Sequence, residues 1–176
     1  MMWRVRSTGK HGPLERVLEV LVPGANPAGA VYGTIAIGAV LAAEGGLRET
    51  YPETLGAALV AVALYWLAHA YAELLGARIE SGERLTAETL WAALRRDWTI
   101  MRGAVAPLLA LSICWALALD LESGVRVAVW TAAGSLVAFE LLAGLHSRAR
   151  PAELLLEGCV GAAMGLGVLA LRAILH

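Results

Sequence analysis

The sequence predicts an all-α membrane protein that crosses the bilayer five times. Hydrophobic residues make up 59% of the 176 positions and charged residues only 16%, whereas a soluble domain carries about 45–50% apolar and about 25% charged residues. The apolar residues gather in five runs, and cationic residues concentrate on alternate connections between those runs. The formal net charge of -1 gives no electrostatic basis for binding nucleic acid.

Each apolar run approaches the length of a membrane-spanning helix, which needs about 17–25 residues. Sheets are excluded because open edges cannot lie in lipid, and the runs lack the alternation of a β-barrel strand. The five spans are predicted over residues 27–43, 55–79, 103–119, 124–145 and 152–175. Together they form a transmembrane domain over residues 27–176, preceded by an N-terminal segment over residues 1–26.

The distribution of cationic residues predicts the orientation, because loops rich in Lys and Arg stay on the cytoplasmic side. Eleven of the 14 Lys and Arg residues lie before the first span, or in or beside the second and fourth connections. The N-terminal segment is therefore expected in the cytoplasm and the C-terminus outside, in a bacterial plasma membrane.

Two segments show the periodicity of amphipathic helices that lie along the membrane surface. In the helix predicted over residues 86–102, the apolar face carries Leu90, Trp91, Leu94, Trp98 and Met101, and the opposite face carries Glu88, Arg95, Arg96 and Asp97. The two tryptophans are expected to anchor it at the cytoplasmic interface. Residues 13–22 show a shorter version of the pattern, which fits a solvated helical turn capping the bundle equally well.

Small residues recur at four-residue spacing where helices are expected to touch. Such spacing lets two backbones approach closely, either within one chain or between the subunits of a homo-oligomer. Composition alone also produces it, since the chain has 19 glycines. The candidate packing residues are Gly29 and Gly33; Ala68, Ala72 and Gly76; and Gly161 and Gly165.

Ionisable residues inside the predicted spans are the candidate functional residues. Glu73, Glu140 and Glu157 all lie about 7–9 Å inside the cytoplasmic boundary, at a rise of about 1.5 Å per residue. His69 is one turn deeper than Glu73 on the same helix face. A charge in the bilayer costs about 2.5–3.5 kcal/mol, so such residues usually face the bundle interior and serve a pathway. His69, Glu73, Glu140 and Glu157 are therefore expected to bind an ion or transfer protons.

Crowded carboxylates repel one another unless they share a proton or a cation. Histidine combined with glutamates suits Fe(II), Mn(II) or Zn(II), whereas oxygen ligands alone suit harder ions. The sequence thus predicts a divalent metal ion as substrate, with His69 and Glu73 as its first candidate ligands, and no resident cofactor. In the alternative interpretation, each glutamate reaches the headgroups separately or pairs with a nearby arginine.

These observations favour a cation transporter for a divalent metal, protons or both, in contact with the lipid bilayer and assembled as a homodimer or another homo-oligomer. The alternative function is a non-transporting membrane scaffold or accessory subunit that binds a partner through its Arg-rich cytoplasmic surface. An enzyme is not predicted, because the sequence has no HExxH, GxSxG or phosphate-loop motif.

Two stretches resemble the vacuolar iron transporter family. The first stretch, residues 69–83, is similar to the end of that family's second helix and reads HAYAELLGARIESGE. In this resemblance His69 stands where the family has a methionine, and Glu73 stands where it has a glutamate. Residues 137–175 resemble the family's last helix hairpin, with a short basic turn and a Gly/Ala-rich fifth helix. The family's first helix places an Asp soon after Tyr-Gly, whereas Tyr32 and Gly33 are followed here by Thr34. The resemblance implies a homodimeric, proton-driven exporter of Fe(II) or Mn(II). The chain is also similar to small integral membrane proteins of GC-rich bacteria.

Overall fold

The structure is a computed structural model that describes residues 27–44, 50–82, 84–146 and 151–175. Every regular element in these ranges is a helix, which confirms the predicted all-α class for the described residues. The helices are α1 (Pro27–Ala43), α2 (Tyr51–Ser81), α3 (Ala87–Arg96), α4 (Thr99–Gly103), α5 (Val105–Ala116), α6 (Leu121–His146) and α7 (Pro151–Leu175). The predicted N-terminal segment, its helix over residues 13–22 and the basic turn at residues 147–150 lie outside the described residues.

Three of the described helices are long and apolar enough to cross a membrane, over Tyr51–Glu80, Leu121–Gly144 and Ala152–Leu175. They correspond to the second, fourth and fifth predicted spans. A fourth span results if α3, α4 and α5 act as one bent element, in which Ala87–Gly103 and Val105–Ala116 meet at 43°. The first predicted span is the helix α1, with the expected bounds but only 17 residues. The third predicted span contains α5, which has only 12 residues.

The bend between α4 and α5 has a local cause at Pro107. A proline has no backbone N–H, so Pro107 cannot donate to the carbonyl of Gly103 one turn earlier. The hydroxyl oxygen of the buried Thr34, on α1, lies 2.8 Å from that carbonyl oxygen and 2.9 Å from the carbonyl oxygen of Ala30. Thr34 therefore connects α1 to the start of the bend.

The short helix α1 lies at the centre of the bundle, where it packs against α2, α4, α6 and α7. Glycines allow the closest of these approaches. A Cβ atom at Gly33 would overlap the carbonyl group of Ile100, and one at Gly103 would overlap that of Ala30. A Cβ at Gly29 would likewise overlap the side chain of Thr99. The α1–α4 contact thus requires glycine on both helices.

Of the other candidate packing residues, those on α7 face a neighbouring helix and those on α2 do not. Gly161 and Gly165 on α7 face α6, since a Cβ at either would lie 3.0 Å from the α6 backbone. On α2, Ala68 and Ala72 are exposed, and a Cβ at Gly76 would meet nothing within 4 Å. This α2 stripe therefore faces away from the described part of the chain.

Most of the surface of the long helices is apolar. In the most apolar windows of α2 and α7, only 17% of residues are buried. The large apolar side chains exposed on α2 include Leu64, Leu67, Leu75 and Ile79. Because water-soluble monomers rarely expose so extensive an apolar surface, this pattern fits helices that face lipid.

Candidate cation site

His69 and Glu73 lie together in the C-terminal half of α2, as the four-residue spacing predicts. Nε2 of His69 is 3.5 Å from Oε1 of Glu73. The imidazole ring is flanked by two tyrosines, with ring centroids 6.2 Å away for Tyr65 on α2 and 5.7 Å away for Tyr32 on α1. The imidazole therefore lies between two aromatic rings, with Nε2 on the side of the glutamate.

Asp97 joins this pair from the turn between α3 and α4. Its N–H donates to the carbonyl of Ala93 at 3.0 Å, and its own carbonyl accepts from the N–H of Ile100 at 3.0 Å. The residue is 1% exposed. Its Oδ2 is buried and has no hydrogen-bond partner among the described residues. A buried carboxylate oxygen left in this state is energetically costly, so the site favours a further positive partner.

One ligand atom from each of His69, Glu73 and Asp97 lies within 4.8 Å of the other two. Within the described ranges, no other three His, Cys, Asp or Glu residues come together in this way. Ligand atoms bound at about 2.0–2.2 Å from one metal ion lie at most about 4.4 Å apart. A small closure of these side chains would therefore be enough to hold a single ion.

Arg96 supplies positive charge next to both carboxylates. Its guanidinium group forms an ion pair with Oε2 of Glu73 through Nη2. Its Nε lies 3.4 Å from Oδ1 of Asp97. The Arg96 side chain is 57% exposed and Glu73 is 44% exposed, so their ion pair is open to solvent, whereas the contact of Arg96 with Asp97 involves a buried carboxylate.

Tryptophan contacts hold the α3–α4 turn against α2. The indole N–H of Trp66, on α2, donates to the carbonyl of Leu94 on α3 at 3.1 Å. The rings of Trp66 and Trp98 meet edge to face with their centroids 5.3 Å apart. Trp66 is one turn before Ala70, which is fully buried. This face of α2 therefore fixes the position of Asp97 relative to His69 and Glu73.

The other two predicted residues, Glu140 and Glu157, lie on the α6–α7 hairpin. They pack reciprocally against glycines of the facing helix. A Cβ at Gly161 would lie 3.0 Å from Cγ of Glu140, and a Cβ at Gly144 would overlap Oε2 of Glu157. That Oε2 is buried and has no hydrogen-bond partner in the described part of the chain. Neither glutamate belongs to the His69, Glu73 and Asp97 group. Two of the four predicted residues therefore lie in that group, and the other two lie in the α6–α7 hairpin.

A cavity of about 360 Å³ separates α1 from the hairpin beside Glu140. Tyr32 lines this cavity and also contacts His69. Tyr32 therefore lies between the His69, Glu73 and Asp97 group and the cavity beside Glu140.

Comparison with models of known protein families, with curated proteins and with solved structures found no match to this chain. The similarity of residues 69–83 and 137–175 to the vacuolar iron transporters therefore stays a prediction.

Asp97 is the site residue that the sequence interpretation missed. It was assigned to the polar face of one helix over residues 86–102, whereas the chain there forms α3 and α4 with a turn at residues 97–98, and Asp97 is buried. The spacing of the neighbouring apolar residues indicated that Asp97 is buried. Ala93, Asp97, Ile100 and Ala104 follow one another at steps of four, three and four, and all four are buried. An aspartate on an otherwise apolar helical face was the available sign.

Proposed function

We propose that this chain is a multi-pass protein of a bacterial plasma membrane that transports a divalent metal ion, with His69, Glu73 and Asp97 as the ligands. The observation that carries the proposal is the buried carboxylate of Asp97, which has an unpartnered oxygen and lies within 4.8 Å of the other two ligands. A buried carboxylate is usually paired or bound to a metal.

The ligand set favours transition metals over magnesium or calcium. One imidazole nitrogen with two carboxylates suits Fe(II), Mn(II) or Zn(II), whereas Mg²⁺ and Ca²⁺ prefer oxygen ligands throughout. The metal ion is the substrate of the protein in this proposal, not a resident cofactor.

Arg96 would compete with the metal ion. The guanidinium balances part of the negative charge of Glu73 and Asp97 when no metal is bound. An arriving divalent cation interacts more strongly with the same carboxylates and releases the exposed arginine to solvent. Protonation of a carboxylate would favour release of the metal, which couples metal movement to protons. Glu140 and Glu157 are additional candidate proton acceptors in this scheme.

The proposed topology keeps five spans, with α1 as the first and the bent α3–α5 element contributing the third. The arginine distribution supports a cytoplasmic N-terminus and an outer C-terminus. The site then lies near the cytoplasmic end of α2, because Glu73 precedes the end of the Tyr51–Glu80 span by about two turns. The outward stripe of Ala68, Ala72 and Gly76 supports association of α2 with a second subunit.

Flux into proteoliposomes tests the proposal. Purified protein is reconstituted, and uptake of Mn(II), Fe(II) and protons is followed for the wild type, Glu73→Gln and Glu80→Gln. Glu80 is an exposed glutamate on the same helix, so its variant is a matched control. We expect metal flux in the wild type and in Glu80→Gln, and its loss in Glu73→Gln. Unchanged flux in Glu73→Gln removes this residue from the pathway, and no flux in any protein favours the scaffold or accessory-subunit alternative.

A further inference from the structure

The cavity between α1, α6 and α7 has properties that differ from those of the His69, Glu73 and Asp97 site. Its volume of about 360 Å³ lies in the range of small-molecule sites, about 300–1,000 Å³. Its walls include the aromatic rings of Tyr32 and Phe139 and the thioether of Met164. Among the described residues that line it, Glu140 is the only charged one.

Glu140 lacks a counter-charge in the described part of the chain. It is half-buried, and none of the described Arg or His side chains forms an ion pair with it. Its nearest packing partner across the hairpin is the backbone at Gly161, where a Cβ would be 3.0 Å from Cγ of Glu140. An ionised carboxylate in apolar surroundings is costly without a positive partner.

The walls of the cavity match a cation with an apolar body. Aromatic faces attract cations within about 6 Å, and a methionine thioether adapts its shape to irregular apolar groups. A metal ion fits the cavity poorly, because a metal requires several ligands and the cavity supplies one carboxylate with mainly apolar walls.

We propose that this cavity binds a hydrophobic monovalent organic cation, such as a quaternary ammonium or phosphonium ion, with Glu140 as its counter-charge and Tyr32 and Phe139 against its apolar groups. This inference uses residues other than the three proposed metal ligands. Glu140 is also a candidate proton acceptor in the proposed function, but binding of the organic cation is measured without metal, so its failure is distinguishable from a failure of metal transport.

Equilibrium binding of radiolabelled tetraphenylphosphonium to the full-length protein in nanodiscs tests the inference. Empty nanodiscs give the lipid background, and tetraphenylborate provides an anion of the same shape. We expect saturable binding of the cation at about one site per chain. In Glu140→Gln the affinity is expected to fall at least tenfold. The matched control is Glu122→Gln on the same helix, where an exposed glutamate pairs with Arg126 at 2.8 Å, and its affinity is expected to stay unchanged.

A second variant separates loss of charge from loss of structure. Ala143 also lines the cavity, so Ala143→Phe fills the space while it retains Glu140, and it should abolish saturable binding. Protons should compete with the organic cation for the same carboxylate in the wild type but not in Glu140→Gln. Three results would overturn the proposal: no saturable binding above empty nanodiscs, equal affinity in Glu140→Gln, or equal binding of tetraphenylborate, which would indicate an apolar cleft that accepts lipid-like molecules of any charge.

Discussion

The carboxylate of Asp97, in the turn after α3, lies within 4.8 Å of the carboxylate of Glu73 on α2. Two negative groups at this distance repel each other unless positive charge lies between or beside them. Arg96 contacts both groups, and His69 lies 3.5 Å from one of them. This relationship makes the C-terminal half of α2, together with the turn after α3, a candidate cation site.

Removal of one ligand charge should weaken metal binding strongly. Groups that only support a metal ligand already contribute about 10–100-fold to affinity, so Glu73→Gln should lower Mn(II) affinity at least tenfold. Isothermal titration calorimetry in detergent measures this affinity. Glu80→Gln makes the same chemical change at an exposed position of α2 and should bind Mn(II) as the wild type does. Equal affinities in the two variants would show that Glu73 is not a ligand.

Removal of the competing arginine should have the opposite effect. An exposed ion pair contributes up to about 1 kcal/mol, which corresponds to about fivefold in affinity. Arg96→Gln should therefore raise Mn(II) affinity by up to about fivefold. Arg95→Gln serves as control, since the Arg95 guanidinium lies over the ring of Trp91 at 5.3 Å from its centroid. A lower affinity in Arg96→Gln would mean that the arginine supports the site instead of competing for it.

The contact between α1 and α4 should tolerate no added side chain. Gly33→Ala places a methyl group against the carbonyl of Ile100, and overpacking of this kind costs about 1–3 kcal/mol. Thermal unfolding in detergent should show a lower midpoint. In Gly134→Ala the new methyl group meets nothing within 4 Å, so this change should be neutral or stabilise α6 by about 0.5–1 kcal/mol. A Gly33→Ala midpoint equal to that of the wild type would contradict the close approach.

Asp120 should make stability depend on pH at the start of α6. The Ser123 N–H, which donates to Oδ2 at 2.8 Å, is the main cause that holds the pKa of this exposed carboxyl below its ordinary value of 3.8. Because the folded-state pKa is the lower one, the carboxylate stabilises the fold above the unfolded-state pKa and loses this effect as pH falls through the folded-state pKa.

Asp120→Ala should therefore unfold at a lower temperature than the wild type at neutral pH, with the difference shrinking in acid. Asp120→Asn is the control, because asparagine also caps a helix but carries no charge. Its unfolding midpoint should lie between those of Asp120→Ala and the wild type at neutral pH, and it should approach that of the wild type in acid, where Asp120 is protonated. An Asp120→Ala deficit of the same size at neutral and strongly acidic pH would exclude the carboxylate as its cause.

Local spacing was sufficient to predict part of the site. His69 and Glu73 are four residues apart in an apolar helix, and that spacing alone places them on one face. Asp97 comes from a turn whose position depends on the contacts of Trp66 with Leu94 and Trp98. The spacing of Asp97 among apolar residues indicated that it is buried, but its distance from His69 and Glu73 depends on contacts between distant segments, which leave no periodic signal in the sequence.

The helical class of the described residues, and three helices that are long and apolar enough to cross a membrane, followed from length and apolar composition. The break in the segment from α3 to α5 did not follow from length and composition. Its 43° bend arises where Pro107 removes a backbone donor and where Thr34 of α1 contacts the Gly103 carbonyl. A proline indicates a break in a helix but not the direction of the bend. In this chain α1 approaches the start of the bend closely at Gly33 and Gly103, a contact between distant segments that the sequence pattern does not predict.

Pulsed electron paramagnetic resonance of bound Mn(II) tests the proposed site most directly, because it detects a nitrogen ligand on the metal. The account predicts one tightly bound Mn(II) per chain, with ¹⁴N coupling from the imidazole of His69 that disappears in His69→Gln. Bound Mn(II) without nitrogen coupling, or with coupling that persists in His69→Gln, would contradict a site built from His69, Glu73 and Asp97.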